Sequence, residues 1–285
     1  MRRSQWISGI AYWLVAPILL GACPSNGGQQ NSKLAQTHYL LGSDYVKKKM
    51  PDAAKRELMR SIELDPENKD AQQLLGVIFF FEGMNKVNIL ERERCLKGAA
   101  ASEQRGEANK DFRRCERYLL EAVRLAKKDK KTESDALNYL ANVSLHFERY
   151  DEAIVRAEQA LSNILYTSRH LALGTLGWAY FHKGKLAPAA RELRQSIFHQ
   201  PRFCVGRYRL AKVYYKQEQY TEAHAELQKV IDDKSCPIQE AHHLLGLTLM
   251  KLKKPEQAKV EFDTCVKLNP KSCISEECRR YAKLI

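Results

Sequence analysis

Six leucines, each followed by a small residue, punctuate the chain: Leu41-Gly42, Leu75-Gly76, Leu140-Ala141, Leu176-Gly177, Leu210-Ala211 and Leu245-Gly246. From one small residue to the next the steps are 34, 65, 36, 34 and 35 residues. A step near 34 fits one helix–turn–helix unit, which cannot bury its apolar face alone and must stack on the next. The composition, 44% apolar and 28% charged over 285 residues, suits such an array. It would suit one compact all-helical domain equally well, so the spacing decides.

The same residue types return at the same offsets. Repeat one reads Leu41, Gly42, Tyr45, Ala54, Leu58, Pro66, and repeat four Leu176, Gly177, Tyr180, Gly184, Ala189, Leu193, Pro201. Repeat five gives Leu210, Ala211, Tyr214, Tyr220, Ala223, Leu227, Val230, and repeat six Leu245, Gly246, Ala258, Phe262, Pro270. In repeat three, Leu140, Ala141, Tyr150, Ala153, Ala157 and Ala160 hold these places, and RYDEA (149–153) has the composition of the inter-helix turn. Small residues sit where two helices cross, and large ones where a unit meets its neighbour. The pattern resembles the tetratricopeptide repeat (TPR). It implies an all-α, right-handed superhelix of about six repeats over 33–270, with a polar-backed capping helix at 271–285.

Repeat two departs from the pattern. It begins normally at Leu75, Gly76 and Phe79, but its second helix is recognisable only at Cys115, Leu119 and Ala122. The charged insert near 83–110 is expected either to lengthen both helices or to add a short hairpin.

The N-terminus carries a different kind of signal. Arg2 and Arg3 precede an apolar run at 7–20, and Leu20-Gly21-Ala22-Cys23 follows. Charged, apolar and small-residue segments in that order read as a signal peptide over 1–22, and the apolar run is short for a membrane span. Leu-Gly-Ala-Cys resembles the bacterial lipobox, which implies acylation of Cys23 and anchoring in outer-membrane lipid; an ordinary secreted chain is the alternative. Pro24 stands where Asp would imply inner-membrane retention. Residues 23–32 are expected to form the lipidated start and a flexible polar tether. The net charge of +13 falls to +11 when Arg2 and Arg3 leave with the leader. A basic exported helical surface is expected to face anionic envelope material rather than nucleic acid.

Seven cysteines remain beyond Cys23, an odd number in a compartment where disulfides persist. Cys265 and Cys278 are symmetric about the turn at 270–271 and form the preferred pair. Cys204 and Cys236 fall at one pole of successive repeats, with Cys236–Cys273 as competitor. Cys95 and Cys115 are symmetric about 104–105, provided that region turns there. Alternatively Cys115 and Cys265, both at alanine positions, are simply small core residues. Close C-x-x-C pairs are missing and the histidines are scattered, so no metal or cofactor is expected.

For a partner, the TPR resemblance implies a concave surface formed by the first helix of each unit. Its facing positions lie three before, one after and four after the small residue. Those carrying the expectation are Phe80, Asn138, Asn142, Leu145, Trp178, Phe181, Tyr208, Lys212, Tyr215 and His243. Aromatic rings in a groove give large contact area at limited entropy cost and suit an amphipathic helix or an extended apolar peptide.

The lipobox, the tether, the repeats, FCVGRYRLAKVYY (203–215), CPIQEA (236–241) and the Cys-rich tail together resemble the TPR lipoproteins of type IV pilus biogenesis, the pilotins. That resemblance implies a protein lodged in the outer membrane with its repeats facing the periplasm. There it would bind a secretin monomer and shield unpaired strand edges during assembly. A TPR lipoprotein scaffold for peptidoglycan enzymes or for outer-membrane barrel assembly shares the anchor and fold and is the alternative. Nucleophile elbow, phosphate loop and HExxH motifs are all missing from the sequence, so catalysis is not expected.

Overall fold

Each unit is built on one close helix crossing, and the small residue of each Leu-small pair makes it possible. A Cβ on Gly42 would lie 2.8 Å from Leu58 Cγ, one on Gly76 2.7 Å from Leu119 Cγ, and one on Gly177 2.7 Å from Leu193 Cγ. On Gly246 it would lie 2.6 Å from the Phe262 ring. Leu58, Leu119, Leu193, Leu227 and Phe262 are fully buried at these crossings, and each contributes roughly 1.5–3 kcal/mol by leaving water.

The computed structural model describes residues 26–285; the leader and Cys23 lie outside the described residues. Among the described residues thirteen α-helices follow one another, the first twelve as six antiparallel pairs. Repeat one is α1 (Asn26–Lys47) and α2 (Pro51–Leu64), and repeat two is α3 (Lys69–Asn88) and α4 (Gly98–Leu125). Repeat three is α5 (Lys130–His146) and α6 (Tyr150–Leu161), and repeat four α7 (Arg169–His182) and α8 (Leu186–His199). Repeat five is α9 (Cys204–Lys216) and α10 (Tyr220–Asp232), repeat six α11 (Gln239–Lys251) and α12 (Pro255–Leu268), and α13 (Cys273–Ala282) caps the array. This is an all-α TPR superhelix. Among the described residues no helix is long and apolar enough to cross a membrane.

The turns inside the repeats are as periodic as the crossings. Lys49, Glu148, Gly184, Glu218 and Lys253, each seven residues after the small position, have φ between 57° and 71°. The next residue's N–H then reaches back five residues to close the helix end, as in Arg149 N to Ser144 O (2.8 Å) and Gln219 N to Tyr214 O (2.9 Å). Pro51 and Pro255 open second helices at the position where a missing N–H costs nothing. Side chains tie helix ends across each unit: Ser61 Oγ donates to Ala35 O at 2.8 Å and Ser196 Oγ to His170 O at 2.6 Å.

One expectation needs correction, and one open choice is decided. Residues 26–32, read as tether, are helical and form the first turns of α1, despite Gly27 and Gly28. Of the two arrangements expected for the insert in repeat two, the structure has the first: both helices of that unit are long, with no extra hairpin between them. α3 runs on through a π-turn, Ile89–Glu93, and the chain reverses at Cys95 (φ 44°) and Gly98 (φ 62°) into the 28-residue α4. Its base is an ordinary repeat, with Phe112 filling the space over Gly83 and packing beside His146 and Phe147. Its tip projects well beyond every other turn.

That tip is fastened to the far end of the array. Cys95 is bonded to Cys273, 178 residues away, with Cα atoms 4.6 Å apart. Arg92 Nε pairs with Glu240 at 2.8 Å, Lys97 with Glu276 at 2.7 Å, and Asn269 Nδ2 donates to Arg92 O. The expected Cys95–Cys115 bridge is therefore wrong: Cys115 sits well inside α4, about 25 Å along the helix from its start. Among the described residues it is the free thiol, buried at an alanine position between α3 and α4, and burial raises its pKa far above the usual thiol range. Cys273 being taken, Cys236 pairs with Cys204 (Cα–Cα 5.6 Å) and Cys265 with Cys278 (6.4 Å).

Candidate functional site

The first helices of repeats four to six, with the capping helix, enclose a cavity of about 770 Å³. The helical period brings Phe181 from α7, Tyr208, Lys212 and Tyr215 from α9, and His243 and Leu247 from α11 onto one wall system. α13 supplies what the repeat pattern could not locate, Ile274 and Glu277, and the start of α11 supplies Glu240. Five of the expected groove residues, Phe181, Tyr208, Lys212, Tyr215 and His243, thus meet in one chamber.

Its floor is aromatic and cationic. Trp178 stacks on Phe181 with centroids 4.7 Å apart, and the Arg209 guanidinium and Lys212 Nζ lie 5.2 and 5.4 Å from the indole centroid. Arg209 also donates to Gly174 O at 3.1 Å. Among the described residues neither cation has a carboxylate within 4 Å. Burial holds Lys212 below the usual lysine range and pushes Arg209 down to about 10. Burial likewise raises the Tyr208 phenol above its ordinary value.

The opposite wall is acidic. Glu240 spends one oxygen on Arg92, while Oε2 is buried without a hydrogen-bond partner. His243 Nε2 is also buried and unbonded, 3.4 Å from a Glu277 oxygen. Burial lowers the His243 pKa, with Glu277 pulling the other way. A chamber with apolar sides, cations on one wall and open acceptors on the other can orient a polar chain as well as bury a side chain.

The remaining expected residues do other things. Phe80 packs edge-on against Tyr139 and Phe112, 5.1 and 5.9 Å between centroids, and is part of the wall between repeats two and three. Asn142 is committed to structure, its Nδ2 donating to Thr175 Oγ1 (3.1 Å) and Asn138 O (2.9 Å). Asn138 lines a smaller hollow of about 300 Å³ with Tyr39, Gln73 and Val77, and its Oδ1 is buried without a partner. Leu145 is half-buried and lines neither hollow, and Trp178 supports the chamber from beneath Phe181. Arg209 escaped the sequence reading because it lies between the expected positions. Arg92 escaped it because only the fold brings the insert to this rim. The ligand atoms of Cys204, Asp233 and Cys236 lie within 4.8 Å of one another, but the two sulfurs are bonded together, which removes them as metal ligands.

Comparison with known proteins agrees with this architecture. Family models described as Tetratricopeptide repeat match residues 35–68, 206–233 and 239–272. No curated protein sequence matches the chain. Among solved structures, PilF of Pseudomonas aeruginosa is 18% identical with a TM-score of 0.62, the match spanning 88% of this chain and 99% of that one. PilW, described as a widely conserved type IV pilus biogenesis factor, is 16% identical with a TM-score of 0.64, over 86% and 98% of the two chains. The Cut9 and Hcn1 assembly gives 0.65 at 14% identity, over 90% of this chain but 48% of that one. At such identities the likeness is one of fold. With its matched units, its Leu-small crossings and its periodic turns, the chain is a tetratricopeptide-repeat protein.

Proposed function

We propose that the protein is a lipid-anchored TPR factor that binds an outer-membrane secretin subunit and promotes its assembly for type IV pilus biogenesis. The observation that carries this reading is the aromatic, two-signed chamber on the concave side of repeats four to six, a surface made to hold a segment of another protein. The fold likeness to PilF and PilW over nearly their whole lengths favours the pilus context. The lipobox-like Leu20-Gly21-Ala22-Cys23 supports an outer-membrane anchor with the repeats in the periplasm. In this role the chamber would hold a segment of the secretin monomer until its strands pair with neighbours, which prevents edge-to-edge aggregation.

The test is genetic and biochemical. Radiolabelled palmitate is expected to enter the wild type and not Cys23→Ala. Deletion of the gene is expected to leave secretin monomers where multimers normally accumulate. Secretin multimers at wild-type levels in the deletion strain would refute the secretin role. Equal labelling of Cys23→Ala would refute the anchor.

A further inference from the structure

Successive repeats are joined by turns that lie at one end of the helix pairs, and these turns are linked side by side. Lys69 pairs with Asp129 at 3.0 Å, Asn163 Nδ2 donates to Lys130 O at 3.0 Å, His170 packs edge-on against Phe203, and Cys204 is bonded to Cys236. The first inter-repeat turn is thus connected to the fifth along one continuous edge. α1 overhangs that edge. Ala35 and His170 hold the same register, each accepting a hydrogen bond from a serine of its second helix. α7 begins one residue before His170, whereas α1 begins nine before Ala35. The extra length projects roughly 12 Å at helical rise. Cys23 precedes Asn26 by three residues, at most about 10 Å of chain. An acyl group on Cys23 therefore enters lipid on the side of this edge and not on the opposite side.

The same edge carries apolar side chains in the open. Ile164 (84% exposed) and Leu165 (81%) occupy the turn between α6 and α7, and Phe198 (77%) lies one residue from the end of α8, beside the next turn. They are the three most exposed large apolar side chains among the described residues. At the turns inside the repeats the nearest counterpart is Met50, at 49%. The turn that presents Ile164 and Leu165 is firmly held: Leu165 N donates to Asn163 Oδ1 at 3.0 Å, Arg169 donates to Asn163 O at 3.1 Å, and Tyr166 is buried. At the neighbouring turn Lys127 and Lys128 stand exposed, while Lys130 and Lys131 pair with Glu133 and Asp135. Apolar tips flanked by cations suit an anionic lipid surface, with the tips at the acyl boundary and the ammonium groups at the phosphates.

We propose that this edge lies on the bilayer that holds the acylated Cys23, with Ile164, Leu165 and Phe198 at the acyl boundary and Lys127 and Lys128 at lipid phosphates. The overhang of α1 points the anchor toward the bilayer, and the apolar tips give the array a second point of contact two repeats further on. This rests on the lipid anchor at Cys23, and it adds which face of the array meets the membrane.

The test uses the acylated chain in vesicles of phosphatidylethanolamine and phosphatidylglycerol, part of the latter carrying a diazirine in one acyl chain. After irradiation, lipid adducts on the wild type are mapped by mass spectrometry, which needs no variant to fold. Adducts are expected in 162–169 and 196–203, and none at the turns inside repeats four to six. Ile164→Ser with Leu165→Ser alters only exposed side chains. It should lower the adducts in 196–203 severalfold and leave flotation with the vesicles unchanged. A wild type that floats but takes adducts only before residue 35, or mainly at the turns inside the repeats, overturns the proposal and leaves the anchor in place. A concentration-dependent dimer that the double serine variant dissolves, with no adducts in 162–169, assigns the edge to a second copy and likewise overturns the proposal. Failure of the wild type to float overturns the anchor, and the membrane-facing edge with it.

Discussion

Repeats four and two have the same crossing and opposite outer parts. Gly177 meets Leu193 just as Gly76 meets Leu119, and both leucines are fully buried. Yet Leu193 follows its glycine by 16 residues and Leu119 by 43. Repeat four ends at its turn, whereas repeat two continues outward until its tip is bonded to the capping helix. The base of a repeat is thus specified locally, and length added beyond the crossing is free to acquire a long-range role. Here that role is to join the second unit to the last.

The comparison breaks most severely at the crossings. Leu193→Ala and Leu119→Ala should each cost about 2–5 kcal/mol, measured by urea denaturation. A much smaller loss at Leu119 would mean that the base of repeat two is not an ordinary unit. Next in size is the tie at the tip. Replacing Cys95 and Cys273 by serine should lower stability by about 2–4 kcal/mol and accelerate amide exchange in 86–110 and 269–282. Replacing Cys204 and Cys236 should cost less, by roughly 1.5 kcal/mol on loop length alone, since that bridge spans 32 residues and not 178.

Smaller still is a pH effect that separates the same regions. Burial holds His146, beside Phe112 at the base of repeat two, and His243, in the chamber, below the ordinary histidine pKa. The unfolded chain then binds protons that the folded chain refuses, so stability is full above about pH 6.5 and declines as pH falls below it. The melting temperature should drop over that range, and His146→Gln and His243→Gln should each remove part of the drop. The least effect belongs to the turns. Glu218→Gly relieves a non-glycine residue at φ 62° and should stabilise by about 0.5–1 kcal/mol in thermal melts. Gly184→Glu, at the matching turn of repeat four, should do the reverse.

The regular units were legible because their determinants are close in sequence. Gly42 and Leu58, or Gly246 and Phe262, lie 16 residues apart, and the helical period carries the rest. The same register placed Tyr208, Lys212, Tyr215 and His243 on a common surface. At Asn142 it did not foresee that the side chain's Nδ2 reaches the next helix and bonds to Thr175. It also failed for the pairing of Cys95. Symmetry about an assumed turn is sound only when the turn is known, and the π-turn at 89–93 moved the reversal to 95–98. Arg92, Glu240 and Ile274 come together from three distant segments, and no local pattern encodes that.

The partner-binding role of the chamber is tested most directly by placing photo-crosslinking residues at Phe181 and Tyr215 inside it, and at Phe198 and Val260, which are exposed on the second helices. In cells, irradiation should trap one dominant envelope protein from Phe181 and Tyr215, and none from Phe198 or Val260. Trapping from the second helices with no adduct from the chamber would contradict the chamber's role.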